Sequence, residues 1–177
     1  MKPIHLIPFG NGHPDPGLEV LEQLAASLVR TFRIPCQIRP EIFDPAFALD
    51  NGRNQYYSTS ILQRMERACD ADARNLGVTT CDLYVPVLTF VFGEAQLDGN
   101  CAVVSTARLS DEYYGLPSNP ALLCERLVKE AAHELGHTFG LRHCADWRCV
   151  MSSSHGVERL DVKGVEFCKE CRRAAGF

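Results

Sequence analysis

Apolar residues recur along the chain with two periods, and the two periods sort it into strands and helices. Residues 3–9 (PIHLIPF) form a short apolar run that suits a first strand, and a turn-rich GNGHPDPG follows. Asp15 then offers a helix N-cap with Pro16 at the first helical position. Leu21, Leu24, Leu28 and Phe32 recur at helical spacing behind it, which predicts an amphipathic helix over about 16–31. Residues 34–39 (IPCQIR) read as a second strand, and 40–57, rich in Pro, Asp, Asn and aromatic residues, as an irregular surface loop. A second helix is expected to start among Ser58, Thr59 and Ser60, to bury Ile61, Leu62, Met65 and Ala68, and to run to about Asn75 before stopping at Gly77. CDLYVPVLTFVFG is then a β-rich apolar run, and beyond the turn LDGN the stretch CAVVST reads as one more strand. Asn119 and Pro120 open a third helix whose buried stripe is Leu123, Leu127, Ala131 and Leu135, ending at Gly140. This order predicts an α/β (α+β) domain, a mixed twisted sheet with long helices packed on it.

At 177 residues the chain has room for one domain with a sizeable core, or one domain with a small appendage. A net charge of −4 argues against a nucleic-acid binder, because neutralising phosphates needs a concentrated positive surface. The N-terminal apolar run is broken by Pro3, Pro8 and Gly10 and is too short for a signal peptide, and no stretch is long enough to span a bilayer. A soluble, cytoplasmic monomer without membrane or nucleic-acid partners is therefore expected.

The chemistry sits at the end of the third helix, in HELGHTFGLRHC. Residues four apart on a helix share a face, so His133 and His137 can present their imidazoles to one ion. Glu134 is the next residue round, placed to reach a water on that ion without being a ligand. Gly140 can take the left-handed conformation that turns the chain and returns His143 as a third ligand. Three neutral nitrogens with an open fourth position describe a catalytic zinc site rather than a closed structural one.

HELGHTFGLRH matches the HExxHxxGxxH signature of the metzincin metalloproteases, and together with CADWRCVM and FCKEC it resembles the archaemetzincin family in particular. QYYSTSIL, FVFGEA and YYGLP also look familiar for that family, so the resemblance covers most of the chain. It implies a zinc-dependent peptidase on a compact metzincin-like domain, 1–177, with a subdomain 1–140 ending in the active-site helix and a small one, 141–177, stapled by zinc. His133, His137 and His143 would be the ligands, Glu134 the general base and Met151 the floor of the site. It further implies that the strand near Cys101 to Ser105 lines the cleft and can pair with an extended peptide or protein substrate. After Met151 this chain has SSSHG where the family often has an aromatic residue and an asparagine, which leaves His155 unplaced between a pocket role and an exposed loop.

Cys144 cannot join the ion of His143, since a fourth protein ligand would close the position a catalytic zinc needs. Cys144 and Cys149 form one pair and Cys168 and Cys171 another, 18 residues apart, close to the spacing of four-cysteine zinc sites. Two disulfides are the alternative, disfavoured in a reducing compartment. Two zinc ions per chain are thus expected, one catalytic and one structural. Cys36, Cys69, Cys81, Cys101 and Cys124 are scattered singly and read as small core residues.

The expected reaction is peptide hydrolysis, with Tyr113 or Tyr114 as possible donors to the oxyanion and packing as their other role. With no prosegment read ahead of the first strand, restraint is expected from a narrow cleft walled by 40–57 or 106–118. The main alternative is a catalytically weak or inactive zinc-dependent peptide-binding protein, against which the presence of Glu134 argues. A nucleic-acid module in 142–177 is a weaker one, with seven basic residues against five acidic.

Overall fold

The computed structural model describes residues 1–10, 17–39 and 43–177. Its elements run β1 (Ile4–Phe9), α1 (Leu18–Phe32), β2 (Cys36–Ile38), β3 (Leu49–Asp50), β4 (Gln55–Tyr57), α2 (Ser58–Ala68), β5 (Arg74–Thr79), β6 (Leu83–Tyr84), β7 (Gly93–Ala95), β8 (Cys101–Ser105), α3 (Pro120–Thr138), α4 (Val157–Val162) and α5 (Lys169–Ala175). Five strands form one mixed sheet in the order β2-β1-β5-β8-β7, parallel throughout except for β7, which lies antiparallel on β8 at the edge.

Side chains alternate across the sheet, so each strand feeds two layers. Ile4 and Leu6 of β1, Leu76 and Val78 of β5, and Ala102 and Val104 of β8 face the large core beneath α1 and α3. Ile7, Phe9, Cys101 and Val103 face the other side and meet Ile61, Leu62 and Met65 of α2. Burial on both faces explains why β1 and β8 read as continuous apolar runs rather than alternating ones.

Three expectations need correction. The second helix stops at Ala68, and Arg74–Thr79 is strand β5, between β1 and β8. Every residue from Asn75 to Thr79 is buried, which a helix with one apolar stripe does not achieve. Gly77 is not a helix stop. It is a point of close approach, where a Cβ would stand 3.1 Å from both Met65 Sδ and Phe9 Cε2. The run CDLYVPVLTFVFG is not one strand: it forms β6, turns at Val85 to Leu88 around Pro86, which cannot donate to a ladder, and returns as an isolated bridge from Val91 to Leu83. The segment expected as an irregular loop holds, in its described part, a 3₁₀ turn at Pro45–Ala48 capped by Asp44, then β3 and β4, which join β6 in a second, three-stranded sheet. Strands of two or three residues are too short to display a period.

The first helix begins at Leu18 with Gly17 as its N-cap, and the expected start at Asp15 and Pro16 lies outside the described residues. The third helix starts as predicted, with Asn119 Oδ1 accepting from the Leu122 N–H at 3.2 Å and Pro120 in the first turn. Helices α4 and α5 have no counterpart in the sequence reading. Leu160, Phe167 and Cys171 from this region join the same core as α3, so that core runs unbroken past residue 140. Among the described residues no helix is long and apolar enough to cross a membrane.

Candidate active site

Helix α3 ends at Thr138, and Gly140 takes φ +82°, the left-handed conformation the sequence predicts there. Its N–H donates to His137 O at 2.9 Å, closing the turn that swings the chain back. The returning segment brings His143 to the two helical histidines. The ring centroids of His133 and His143 are 5.2 Å apart and those of His137 and His143 5.1 Å apart. One ligand nitrogen from each of the three lies within 4.8 Å of the others.

Backbone carbonyls orient two of these rings. His133 Nδ1 donates to Val150 O at 2.9 Å and His137 Nδ1 to Leu141 O at 2.7 Å, which leaves both Nε2 lone pairs free and 3.1 Å apart. Two acceptors that close lack a proton between them; nitrogens at about 2.0–2.1 Å on a tetrahedral ion would sit about 3.3 Å apart, so the donor set fits zinc. Burial first, then the positive charge of Lys163, lowers the pKa of His133 well below its ordinary value, keeping the ring neutral as a ligand must be. Burial likewise lowers His137 and His143.

Glu134 is buried beside them. Burial, then the neighbouring Glu130, raises its carboxyl well above the usual range, while Lys163 pulls the other way. Two glycines make room for this arrangement, and the sequence motif alone identified neither role. A Cβ on Gly93 of β7 would stand 2.6 Å from Glu134 Cγ. A Cβ on Gly136 would stand 2.4 Å from the sulfur of Met151, which is fully buried directly under the helix end.

The four cysteines form a second cluster. Their sulfurs lie within 4.8 Å of one another, with Cys144 to Cys168 at 3.9 Å and Cys149 to Cys171 at 3.8 Å. That is nearly twice the length of an S–S bond, and all nine cysteines are free thiols, so the disulfide alternative falls. Thiolates at about 2.3 Å on a tetrahedral ion would be about 3.8 Å apart, which these separations match. Sulfurs also accept backbone N–H groups, from Cys168 to Cys149 Sγ at 3.3 Å and from Cys171 to Cys168 Sγ at 3.5 Å. The second of these holds the Cys168 thiol below its ordinary pKa. The clusters are tied together: Cys144 N donates to Met151 O at 2.9 Å, and Val150, which orients His133, donates to Glu166 O at 3.0 Å.

The strand beside the histidines is β7, which corrects the expectation that Cys101–Ser105 lines the cleft. Strand β8 is paired on both sides, by β5 and β7, and every residue in it is buried. Phe92 O and Gln96 N bond to β8, so by antiparallel alternation the backbone groups of Gly93 and Ala95 point outward along the cleft. Gly93, Glu94 and Ala95 line it together with His133, Glu134, His137 and His143. Glu94 turns to the opposite face, where Thr59 Oγ1 donates to its Oε1 at 2.8 Å and Ser58 Oγ bonds to its Oε2. These hydroxyls open α2, so the helix terminus anchors the edge strand.

Other expectations miss the site. Tyr113 and Tyr114 lie in a 3₁₀ turn, where Tyr114 Oη donates to Arg108 O at 3.0 Å and Arg108 stacks on Tyr113, and neither lines the cleft. Among the described residues lining the cleft, none comes from 43–57 or 106–118; the walls are 88–93 and 153–155. His155 is exposed, yet it belongs to that wall.

A mixed sheet carrying a helix that ends in two histidines, with a third returning across a glycine turn and an all-thiol cluster behind, has the architecture of a zinc metallopeptidase. Comparison with known proteins says which. Residues 49–175 match the model of Peptidase family M54. The archaemetzincin of Methanocaldococcus jannaschii is 44% identical over 153 residues, 86% of this chain and 83% of that one, and the archaemetzincin of Pyrococcus furiosus is 38% identical over 96% of this chain and 90% of that one. Among solved structures, archaemetzincin from Archaeoglobus fulgidus, crystallised with malonate, superposes with a TM-score of 0.82 at 37% identity, covering 97% of this chain and 98% of that one. Metalloproteinase-II from Bacteroides fragilis shares the fold alone, at a TM-score of 0.57 and 13% identity, with 51% of its chain covered. The chain belongs to the archaemetzincins, Peptidase family M54.

Proposed function

We propose that the chain hydrolyses peptide bonds at a zinc ion held by His133, His137 and His143, with Glu134 as general base. The observation that supports this most is the pair of free Nε2 lone pairs 3.1 Å apart, beside a buried carboxylate and an open sheet edge. A zinc ion there supplies a Lewis acid for the water and the scissile carbonyl. An extended substrate adds to the edge of β7 through the outward backbone groups of Gly93 and Ala95, which sets the scissile bond beside Glu134. Glu134 takes the proton of the attacking water and delivers it to the leaving amine. Burial raises its affinity for a proton, which suits a group that must take one from the water before passing it on. Met151 fills the floor beneath Gly136.

Cys144, Cys149, Cys168 and Cys171 hold a second, structural zinc, giving two ions per chain. The chain acts as a single metzincin-like catalytic domain, 1–177, in which 141–177 is a small subdomain that fixes the loop carrying His143 and Met151 to the helical subdomain 1–140. The working form is a cytoplasmic monomer acting on peptide or protein. Native mass spectrometry tests the metal reading: two zinc ions in the wild type and one in His137→Ala are expected, and equal counts in both would reject the histidine site. A peptide screen with Glu134→Gln as control then tests the reaction.

A further inference from the structure

Beside His133, Glu134 and His143 a cavity of about 310 Å³ opens between the lead-in to β7 and the segment after Met151. Phe90 and Phe92, edge-to-face with centroids 5.2 Å apart, form an apolar wall. Glu130 lies deep in the lining, its side chain only 5% exposed. One of its oxygens, Oε1, accepts from Lys163 Nζ at 3.0 Å, and Lys163 is itself buried and also donates to Ser152 O at 3.3 Å. The other oxygen, Oε2, makes no hydrogen bond among the described residues. Ser154 lines the same wall, and its buried Oγ has no partner among the described residues.

An occupant that fills the cavity strips this oxygen of water, so the cavity favours one that brings a donor in its place. Lys163 already balances the charge of Glu130, and a second cation entering the cavity would meet the Lys163 ammonium at short range. The occupant is therefore a neutral donor, and the aromatic wall selects a flat apolar body beneath that donor. A phenol has both.

We propose that this cavity is a specificity pocket for a tyrosine side chain of the substrate, the ring packed against Phe90 and Phe92 and the hydroxyl donating to Glu130 Oε2. The proposal rests on the reading of the neighbouring site as a peptide-binding, peptide-cleaving one. Phenylalanine fills the same space but leaves Glu130 Oε2 without a donor, which is the contrast that discriminates.

The test is binding of fluorescently labelled heptapeptides, identical except for a central Tyr, Phe or Arg, to zinc-loaded Glu134→Gln protein, where turnover does not interfere. Tighter binding of the Tyr peptide than of the Phe peptide, by tenfold or more, is expected, with Arg weakest. In Glu130→Gln combined with Glu134→Gln, the ratio of Tyr to Phe should fall towards one. If that variant fails to fold, the Tyr-to-Phe ratio of the Glu134→Gln protein itself is the deciding number. Equal affinities for Tyr and Phe, a preference for Arg, or no detectable binding of the Tyr peptide would overturn the pocket. Digestion of the same peptides by the wild-type protein separates the two readings: Tyr-selective binding without any cleavage leaves the pocket standing and removes the peptidase.

Discussion

Two clusters of side chains able to hold a metal ion meet at the bond between His143 and Cys144, and they are built on opposite plans. The histidine cluster is assembled from a 19-residue helix and a turn, faces a cleft, and depends on clearances: Gly93 beside Glu134 and Gly136 above Met151. The cysteine cluster is assembled from the loop between α3 and α4 and the start of α5, and meets its needs internally through sulfur–sulfur contacts and N–H to sulfur bonds. On the proposed reading, the site for turnover keeps one side open and relies on the protein around it for shape. On the same reading, the site for stability closes on itself, which would let it hold a region whose own helices are six and seven residues long.

The sharpest way to separate the clusters is to remove chemistry from one while leaving structure alone. Glu134→Gln should lower kcat by about 10³-fold while leaving zinc content and melting temperature within error of wild type; matched kinetics and metal analysis would check both halves. Cys171→Ser should act on the other cluster, lowering the melting temperature by roughly 10 °C, a loss of about 3 kcal/mol, and reducing affinity for the histidine-bound zinc through the Val150 and Met151 contacts. Calorimetry with a competing chelator would read both quantities, and unchanged values would mean the clusters are independent. Gly136→Ala presses a methyl group on Met151 Sδ and should cost about 1–3 kcal/mol, with KM less affected than kcat. A urea titration beside steady-state kinetics would show it, and a neutral result would mean that Met151 can move aside freely.

The smallest effect expected is one of pH on the metal-free protein. Burial lowers the folded pKa of His133 below its unfolded value of about 6.5, so the unfolded chain takes up the proton first. Stability from this group is complete above that value and falls as pH drops towards the lowered one. The chelated protein should therefore melt at a lower temperature at pH 5 than at pH 7, with a smaller drop in His133→Asn. An equal drop in both would place the effect elsewhere.

Much of the architecture was legible from local signals. Asn119 and Pro120 marked the start of α3, and Gly140 its end, because caps and left-handed turns depend on residues a few positions apart. The error at β5 has the opposite cause. RNLGVT carries a glycine that resembles a helix stop, and only its neighbours β1 and β8 reveal a strand buried on both faces. Strands β3, β4 and β6 have two or three residues each and exist because they pair with one another.

What the sequence by itself determined is the grouping of three histidines and four cysteines into two clusters, since helical spacing, a glycine turn and paired cysteines bring those atoms together over short stretches of chain. Only the tertiary structure decided which strand edges the cleft, why Gly93 must lack a side chain, and that Glu130 faces the cavity with one oxygen on Lys163. Those facts join residues 33 and more positions apart, or strands whose place in the sheet depends on every other strand. No local period encodes them, because they follow from how the layers pack.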